Sequence, residues 1–316
     1  MQIDISIAFF LLGVFAALVR SDIQFPKALY QSLILFLMLA IGLKGGVALA
    51  DHASIQLIGQ SFFVLLYGLM LPCIAFPLLY YFGGLPRHDS ASIAAHYGSV
   101  SVGTYAVAVA YLEAMDIPYE AYMPLFVVLL EMPAIIVGIA LAKRSLSGGE
   151  EAEGSKKLLH EIFFNQGMVL MTGGLIIGFI GGERTESIAP FFFTLFNGVL
   201  ALFLLQMGIT AASRLAEIKR LGSFMLAFGV AMPITGGFLG CLLGIAMGLS
   251  SGGAILMAVL GASASYIAVP AAMQVVLPNA NHSLSIGASL GITFPFNVLI
   301  GIPTYTVLTL WALGEM

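Results

Sequence analysis

Long apolar runs separated by short polar segments dominate the chain. A helix needs about 20 mostly apolar residues to cross a bilayer, and ten runs meet or approach that length. The predicted spans cover residues 3–20, 28–49, 55–82, 90–112, 119–143, 160–181, 187–211, 221–248, 251–275 and 284–313. The pattern therefore predicts an all-α membrane protein with ten transmembrane helices, some of them interrupted.

The composition also favours a membrane protein. Of the 316 residues, 60% are hydrophobic and 9% are charged, whereas soluble proteins carry roughly 25% charged residues. The first apolar run has no basic segment before it and no small-residue cleavage site after it, which predicts a retained span and not a signal peptide. Cys73 and Cys241 lie inside apolar runs, which argues against a disulfide framework. We expect the chain to contact membrane lipid and to bind no nucleic acid.

The basic residues indicate the orientation. Ten of the twelve lysines and arginines fall on one side of the predicted membrane: Arg20, Lys27, Arg87, Lys143, Arg144, Lys156, Lys157, Arg214, Lys219 and Arg220. Arg184 lies on the other side, and Lys44 lies within the second span, where we assign it to snorkelling. Because cytoplasmic loops carry the excess of Lys and Arg, we predict an inner (plasma) membrane protein with external termini. Residues 145–157 then form a cytoplasmic linker.

The two halves, residues 1–144 and 158–316, resemble each other weakly. The surroundings of Gly42 recur at Gly208, an offset of 166 residues. Three further positions recur in order at offsets of 163, 162 and 163, namely Gly98 as Gly261, Pro133 as Pro295, and Gly138 as Gly301. Five spans per half is an odd number, so the second repeat enters the membrane inverted. Inverted repeats with interrupted helices are typical of secondary transporters, whose sites lie near the membrane midplane.

Two runs of small, hydroxyl-bearing residues occupy repeat-related positions, at 96–104 and 261–266. Such runs weaken a helix, and irregular backbone at membrane depth survives only where it lines a cavity or is buried in protein. If both helices break there, their N-termini form an anion site without a fixed cation. The candidate substrate-binding residues are Ser99, Ser101, Gly103, Thr104, Ala262, Ser263 and Ser265. The alternative is that these small residues only permit close helix packing.

Glu131 lies in the middle of the fifth predicted span. A carboxyl group there costs several kcal/mol unless it is protonated or paired, and marks a functional site by default. A cation ligand and a proton carrier both fit. Asn297 lies at a similar depth in the second half and could supply a neutral oxygen. The candidates for cation coupling are Glu131, Ser263, Ser265 and Asn297, with Glu131 as a sodium ligand.

Other features indicate packing, and none indicates an enzyme. Gly236, Gly240, Gly244 and Gly248 form a ladder along the eighth span, which we assign to tight helix packing. We assign His96 to a hydrogen-bonded packing role, with proton relay as the alternative. His160-Glu161 begins like a zinc protease helix, but the second histidine is missing. The sequence has no nucleophile elbow and no phosphate-binding loop.

Five stretches carry a family resemblance: Ile41-Gly42-Leu43-Lys44-Gly45-Gly46, Ile117-Pro118-Tyr119-Glu120-Ala121, Met132-Pro133-Ala134, Asn279-Ala280-Asn281 and Ile286-Gly287-Ala288-Ser289. Over nearly its full length the chain resembles the cyanobacterial sodium-dependent bicarbonate transporter family. The resemblance implies a homotrimeric elevator, with a scaffold of about residues 1–50 and 158–218. The moving core, about 55–143 and 221–313, would carry bicarbonate and sodium between the two broken helices. It also implies a PII-like regulator at the cytoplasmic face.

The resemblance assigns Ser101 and Thr104 to the first broken helix, and Ser263 and Ser265 to the second. The chain also departs from the family pattern: Val102-Gly103 stands in place of Gly-Ser, Tyr266 in place of an aspartate, and Glu131 in place of another aspartate. The central linker is also shorter than in the family, which argues against binding of the PII-like regulator. These departures leave the coupling ion open between sodium and a proton.

The sequence thus predicts a secondary active symporter for a small anion, bicarbonate first, driven by a cation, sodium first. It predicts no cofactor apart from that coupling ion. A carrier of the same fold for an organic anion, of the bile-acid or auxin type, is the main alternative. A channel should show rings of charge or filter carbonyls, and an enzyme needs a second catalytic group near the first, so both are less favoured.

Overall fold

The computed structural model describes residues 5–23, 25–143, 164–213 and 222–315. Regular secondary structure in these residues is helical, and they contain no β-strand. Seven of the described helices are long and apolar enough to cross a membrane: Lys27–His52, Ile55–Phe82, Met123–Ala142, Gln166–Ser187, Pro190–Ser213, Gly222–Ala246 and His282–Leu313. The predicted all-α membrane class is confirmed. The predicted linker 145–157 and the basic cluster within 214–220 fall outside the described residues.

The helices of the first half are α1 (Ile5–Leu18), α2 (Lys27–His52), α3 (Ile55–Pro77), α4 (Arg87–Gly98), α5 (Val102–Ala114) and α6 (Met123–Lys143). Those of the second half are α7 (Gln166–Gly181), α8 (Phe196–Ser213), α9 (Gly222–Ala246), α10 (Ser251–Ala262), α11 (Ala268–Val276), α12 (His282–Ala288), α13 (Phe294–Phe296) and α14 (Ile302–Leu313). π-Helical segments extend α3, precede α8 and join α12, α13 and α14.

The fourth and ninth predicted spans are each divided into two helices. Residues 99–101 separate α4 from α5, and residues 263–267 separate α10 from α11. The first interruption lies within the first run of small, hydroxyl-bearing residues, and the second begins in the second run and ends one residue beyond it, at Ile267. We call these segments the first break and the second break.

The start of one predicted span in the second half is shifted. The seventh span is predicted from residue 187, close to Pro190, where the apolar span begins in the structure. The sequence predicts the sixth span from residue 160, whereas α7 begins at Gln166, where Asn165 Oδ1 accepts a hydrogen bond from Met168 N at 3.0 Å. Asparagine caps a helix by pairing an amide that has no intrahelical acceptor. Hydropathy does not register that signal.

A first group of helices consists of α1, α2, α7 and α8. Here α2 packs along α7, and α1 packs along α8. Six glycines face the backbone of the opposite helix so closely that a Cβ atom would collide with it: Gly13, Gly42, Gly46, Gly174, Gly178 and Gly208. Small residues of this kind let transmembrane helices approach closely. The two pairs contact each other through α2 and α8, and we call these four helices the scaffold group.

A second group contains α3 to α6 and α9 to α14. Gly236, Gly240 and Gly244 on α9 lie directly against the backbone of α10, as the predicted glycine ladder requires. Gly248 does not belong to this ladder, because it lies in the turn after α9 with a φ of +70° and open space around its Cβ position. That left-handed conformation favours glycine in its own right. We call this second unit the core group.

Candidate substrate and cation site

The first break exposes the N-terminus of α5. Ser101 is the N-cap residue, and its Oγ accepts hydrogen bonds from Thr104 N at 3.1 Å and from Thr104 Oγ1 at 2.9 Å. Serine favours this position because its side chain pairs an early amide. The amides of Val102 and Gly103 have no acceptor within the helix, as at every helix start. They are therefore available to a ligand.

The second break exposes the N-terminus of α11. Ser265 Oγ accepts a hydrogen bond from Val269 N at 3.3 Å. Pro270, in the first turn of α11, has no amide hydrogen to satisfy, which suits it to the start of a helix. The amides of Ile267 and Ala268 lie at this helix start. Each break thus supplies a serine hydroxyl and the amides of a helix N-terminus, one from each half of the chain.

The two breaks cross and are joined by hydrogen bonds. Ser101 N donates to Ser263 Oγ at 3.0 Å, and Ser265 N donates to the carbonyl oxygen of His96 at 2.8 Å. Each bond runs from one half of the chain to the other. Ser101, Ser263 and Ser265 are at most 4% exposed. The crossing therefore places two helix N-termini and two helix C-termini together in a buried space.

Glu131 lies in a small cavity at this crossing. The cavity has a volume of about 10 Å³ and is lined by Met38, Val100, Ser101, Val102, Glu131, Ser265, Tyr266, Ile267 and Ala268. Such a volume holds about one water molecule. Glu131 is 1% exposed, and its Oε2 atom has no hydrogen-bond partner among the described residues. Glu131 Oε1 lies beside Gly167 in the first turn of α7, where a helix N-terminus stabilises negative charge.

The structure brings Ser101, Ser265 and Glu131 into one cavity and arranges the other predicted residues around it. Thr104 is one turn along α5 and bonded to Ser101, and Gly103 faces Tyr266 and Phe203. The remaining predicted residues lie in or next to the breaks. Ser99 Oγ is buried without a partner among the described residues. Ser263 Oγ donates a hydrogen bond to Leu260 O at 2.9 Å. Ala262 ends α10.

Asn297 lies on the α10 side of the crossing. Its Nδ2 donates to the carbonyl oxygen of Ala262 at 2.7 Å, and its Oδ1 accepts from Tyr305 Oη at 3.2 Å. This side chain holds the C-terminal end of α10 against the last predicted span. Its oxygen therefore already has one donor, unlike Glu131 Oε2.

Tyr266 occupies the position where the resemblance leads one to expect an aspartate. Its hydroxyl lies beside Ser101 of the first break and beside Gly103 in the first turn of α5. Its ring packs edge-on against Phe294, with the centroids 5.5 Å apart. The tyrosine thus fills space next to the amides of α5 and supplies a hydroxyl at the position where the resemblance predicts a carboxylate.

Lys44 and His96 each have a polar partner in the structure. Lys44 Nζ lies 3.2 Å from Glu113 Oε1 on α5, and this ion pair joins the scaffold and core groups. Each residue is a single charge near the end of an apolar span, and that was the only signal in the sequence. His96 Nδ1 lies 2.8 Å from the carbonyl oxygen of Ser92, which fits the packing role. Its Nε2 is buried without a partner among the described residues.

The family model of the Na+-dependent bicarbonate transporter superfamily matches residues 6–310. The chain belongs to this superfamily. The match covers nearly the whole sequence and confirms the resemblance that the five short stretches carry. Comparison with curated proteins finds no significant match. The chain is therefore a multi-pass membrane protein of a transporter superfamily, as its apolar helices also indicate.

Proposed function

We propose that the chain is a secondary active transporter that takes up a small anion, bicarbonate first, together with sodium. One observation carries the proposal: the two broken helices cross at repeat-related positions and enclose a buried carboxyl group. Helix N-termini bind anions through free amides and the helix dipole. Superfamily membership supports both the substrate and the coupling ion.

The proposed anion site lies between the N-termini of α5 and α11. The free amides are those of Val102 and Gly103 on one side and of Ile267 and Ala268 on the other. Among the described residues that line the cavity there is no lysine or arginine, so backbone dipoles must supply the positive potential. The cavity of about 10 Å³ is small. A small anion needs a modest opening of the breaks, whereas a bile-acid-sized anion needs a much larger rearrangement.

The proposed coupling site centres on Glu131. Sodium prefers oxygen ligands, and the cavity offers the Glu131 carboxylate with the hydroxyls of Ser101 and Ser265. Cation and anion then lie in one cavity, so that binding of each favours binding of the other. This arrangement supports coupled transport. Serines 263 and 265 and Asn297 remain candidates for the cation site as well.

We further propose ten spans arranged as two inverted repeats. Two hydrogen bonds between the halves support this. Glu120 Oε1 accepts from Ser250 N, before α10, at 2.6 Å, and Asp89 Oδ1 accepts from Asn281 N, before α12, at 2.7 Å. At the repeat offset of 163, Ser250 and Asn281 correspond to positions within two residues of Asp89 and Glu120. Each half thus holds the other through the equivalent pair of segments.

We propose that the core group moves as an elevator against the scaffold group. Among the described glycines, the close backbone-to-backbone approaches between helices lie within a group, whereas glycines facing the other group meet side chains. Examples of the second kind are Gly45 against Pro124 and Gly103 against Phe203. Side-chain contacts can be exchanged in steps as the groups slide. The proposal includes a homotrimer in the inner membrane with external termini and a PII-like regulator on the cytoplasmic side.

Uptake by purified protein in proteoliposomes tests the proposed function. Labelled bicarbonate and a labelled bile acid are compared under an inward sodium gradient, an inward proton gradient, and no gradient. We expect bicarbonate to accumulate only under the sodium gradient. Uptake driven only by protons contradicts sodium coupling, and uptake of the bile acid without bicarbonate contradicts the small-anion assignment.

A further inference from the structure

A second cavity lies between the scaffold and core groups, towards the external side in the proposed orientation. Its volume is about 60 Å³, and its lining includes Ile41, Lys44, Tyr105, Glu113, Tyr119 and Asn197. The scaffold contributes α2 and the start of α8, and the core contributes α5 and the segment before α6. The cavity is distinct from the one that contains Glu131.

One face of α5 connects the two cavities. Tyr105, Val109 and Glu113 are spaced by four residues and line the outer cavity, and Ser101, one further turn down the same face, lines the inner cavity. One helical turn is about 5.4 Å along the axis. Tyr105 is 2% exposed and lies between the two spaces. The outer cavity therefore ends about one turn above the proposed anion site.

Lys44 is the one cationic side chain among the described residues that line the outer cavity. Its ion pair with Glu113 measures 3.2 Å, and the two side chains are 50% and 39% exposed. Exposed ion pairs of this kind contribute little to stability, so that Lys44 can exchange partners readily. An anion that leaves bulk water on its way to the inner cavity meets this positive charge first.

Tyr119 gives Glu113 a second partner. The Tyr119 hydroxyl donates to Glu113 Oε1 at 3.0 Å. An ordinary tyrosine hydroxyl loses its proton only at a pH of about 10. The hydroxyl therefore stays protonated and keeps its hydrogen bond to the carboxylate. Glu113 is not left without a partner when Lys44 turns away.

We propose that the outer cavity is an anion-binding subsite in which Lys44 leaves Glu113 for the incoming anion while Tyr119 retains the Glu113 carboxylate. The subsite rests on the proposed function, because it serves the same small anion before the anion reaches the breaks. In this subsite the Lys44 ammonium pairs with the anion in place of the Glu113 carboxylate.

The proposal predicts opposite effects for the two partners of the ion pair. A unit charge about 4 Å from an anion in water-like surroundings changes affinity about fivefold. Lys44→Gln should therefore raise the KM for bicarbonate about fivefold, whereas Glu113→Gln frees Lys44 and should lower it. If the ion pair only ties the two groups together, both substitutions break the same tie and shift KM in the same direction.

Proteoliposome uptake measures these KM values, with Lys44→Arg as the charge-preserving control. We expect Lys44→Arg to stay within about twofold of the wild type, and raised ionic strength to bring the wild type towards Lys44→Gln, since salt screens exposed charges. An unchanged KM in Lys44→Gln, or equal shifts in both variants, overturns the subsite. Because the wild type in the same assay reports bicarbonate transport itself, failure of the proposed function is recognised separately.

A labelling experiment tests the subsite without transport. In a background in which Cys73 and Cys241 are replaced by Ala, Asn197→Cys places a thiol in the outer cavity. Anionic and cationic methanethiosulfonate reagents of similar size are applied from outside. We expect the anionic reagent to react relatively faster when Glu113→Gln is present, and Lys44→Gln to reverse that preference. If neither substitution changes the ratio of the two labelling rates, the proposal is contradicted, whatever the substrate is.

Discussion

A methyl group added at Gly103 is the smallest change that fills the space between the first break and its neighbours. An ideal Cβ atom there lies 2.5 Å from Tyr266 Oη and 2.8 Å from Phe203 Cε1. Contacts below 3.0 Å force a neighbour to move. Here one neighbour belongs to the second break and the other to the scaffold group. Overpacking of this kind costs about 1–3 kcal/mol, and the methyl group also shields the free amide of Gly103 from an anion.

About 1.4 kcal/mol corresponds to a tenfold change in rate, and the strain lowers kcat/KM only as far as it grows in the transport step. We therefore expect Gly103→Ala to lower kcat/KM for bicarbonate by up to about 150-fold. Uptake is measured in proteoliposomes, and the melting temperature in detergent reports folding. Gly198→Ala is the matched control, because no atom of the described residues lies within 4 Å of its Cβ position. Adding Tyr266→Phe removes the atom closest to the new methyl group and should restore part of the activity. Wild-type uptake by Gly103→Ala refutes the reasoning.

Two further predictions concern stability and orientation. Asp89→Asn weakens the charge-assisted hydrogen bond from Asn281 N, which measures 2.7 Å. It should lower the free energy of unfolding by about 1–3 kcal/mol and therefore lower the melting temperature. An unchanged melting temperature contradicts a stabilising role for this hydrogen bond. Ser147→Cys, in the predicted cytoplasmic linker, should resist impermeant thiol reagents applied to intact cells and react after permeabilisation. Labelling from outside contradicts external termini and, with them, the inverted repeat.

The breaks could be predicted from the sequence because their signal is local. Serine and glycine at 98–103 and 261–265 disfavour a continuous helix at membrane depth, and both segments are broken in the structure. The reciprocal bonds of Ser101 with Ser263 and of Ser265 with His96 were not predictable, because they depend on how the two halves fold together.

Ion pairs between residues far apart in the sequence could not be predicted from local sequence patterns either. Lys44 and Glu113 are 69 residues apart, and neither neighbourhood in the sequence indicates the other. The assignment of Gly248 to the glycine ladder was wrong for a different reason. Gly248 keeps the four-residue spacing of the ladder, but it lies past the end of α9, where the backbone turns with a φ of +70°. Spacing predicts the helical face, but it does not predict where the helix ends.

The central claim is that the crossing couples an anion to a cation through Glu131. Glu131→Gln keeps the size and most hydrogen-bonding capacity of the side chain and removes its negative charge. The decisive measurement is bicarbonate uptake by wild-type and Glu131→Gln proteoliposomes with and without an inward sodium gradient. We expect the gradient to drive accumulation by the wild type and to have no effect on the folded variant. Sodium-driven accumulation by Glu131→Gln at the wild-type level contradicts the claim.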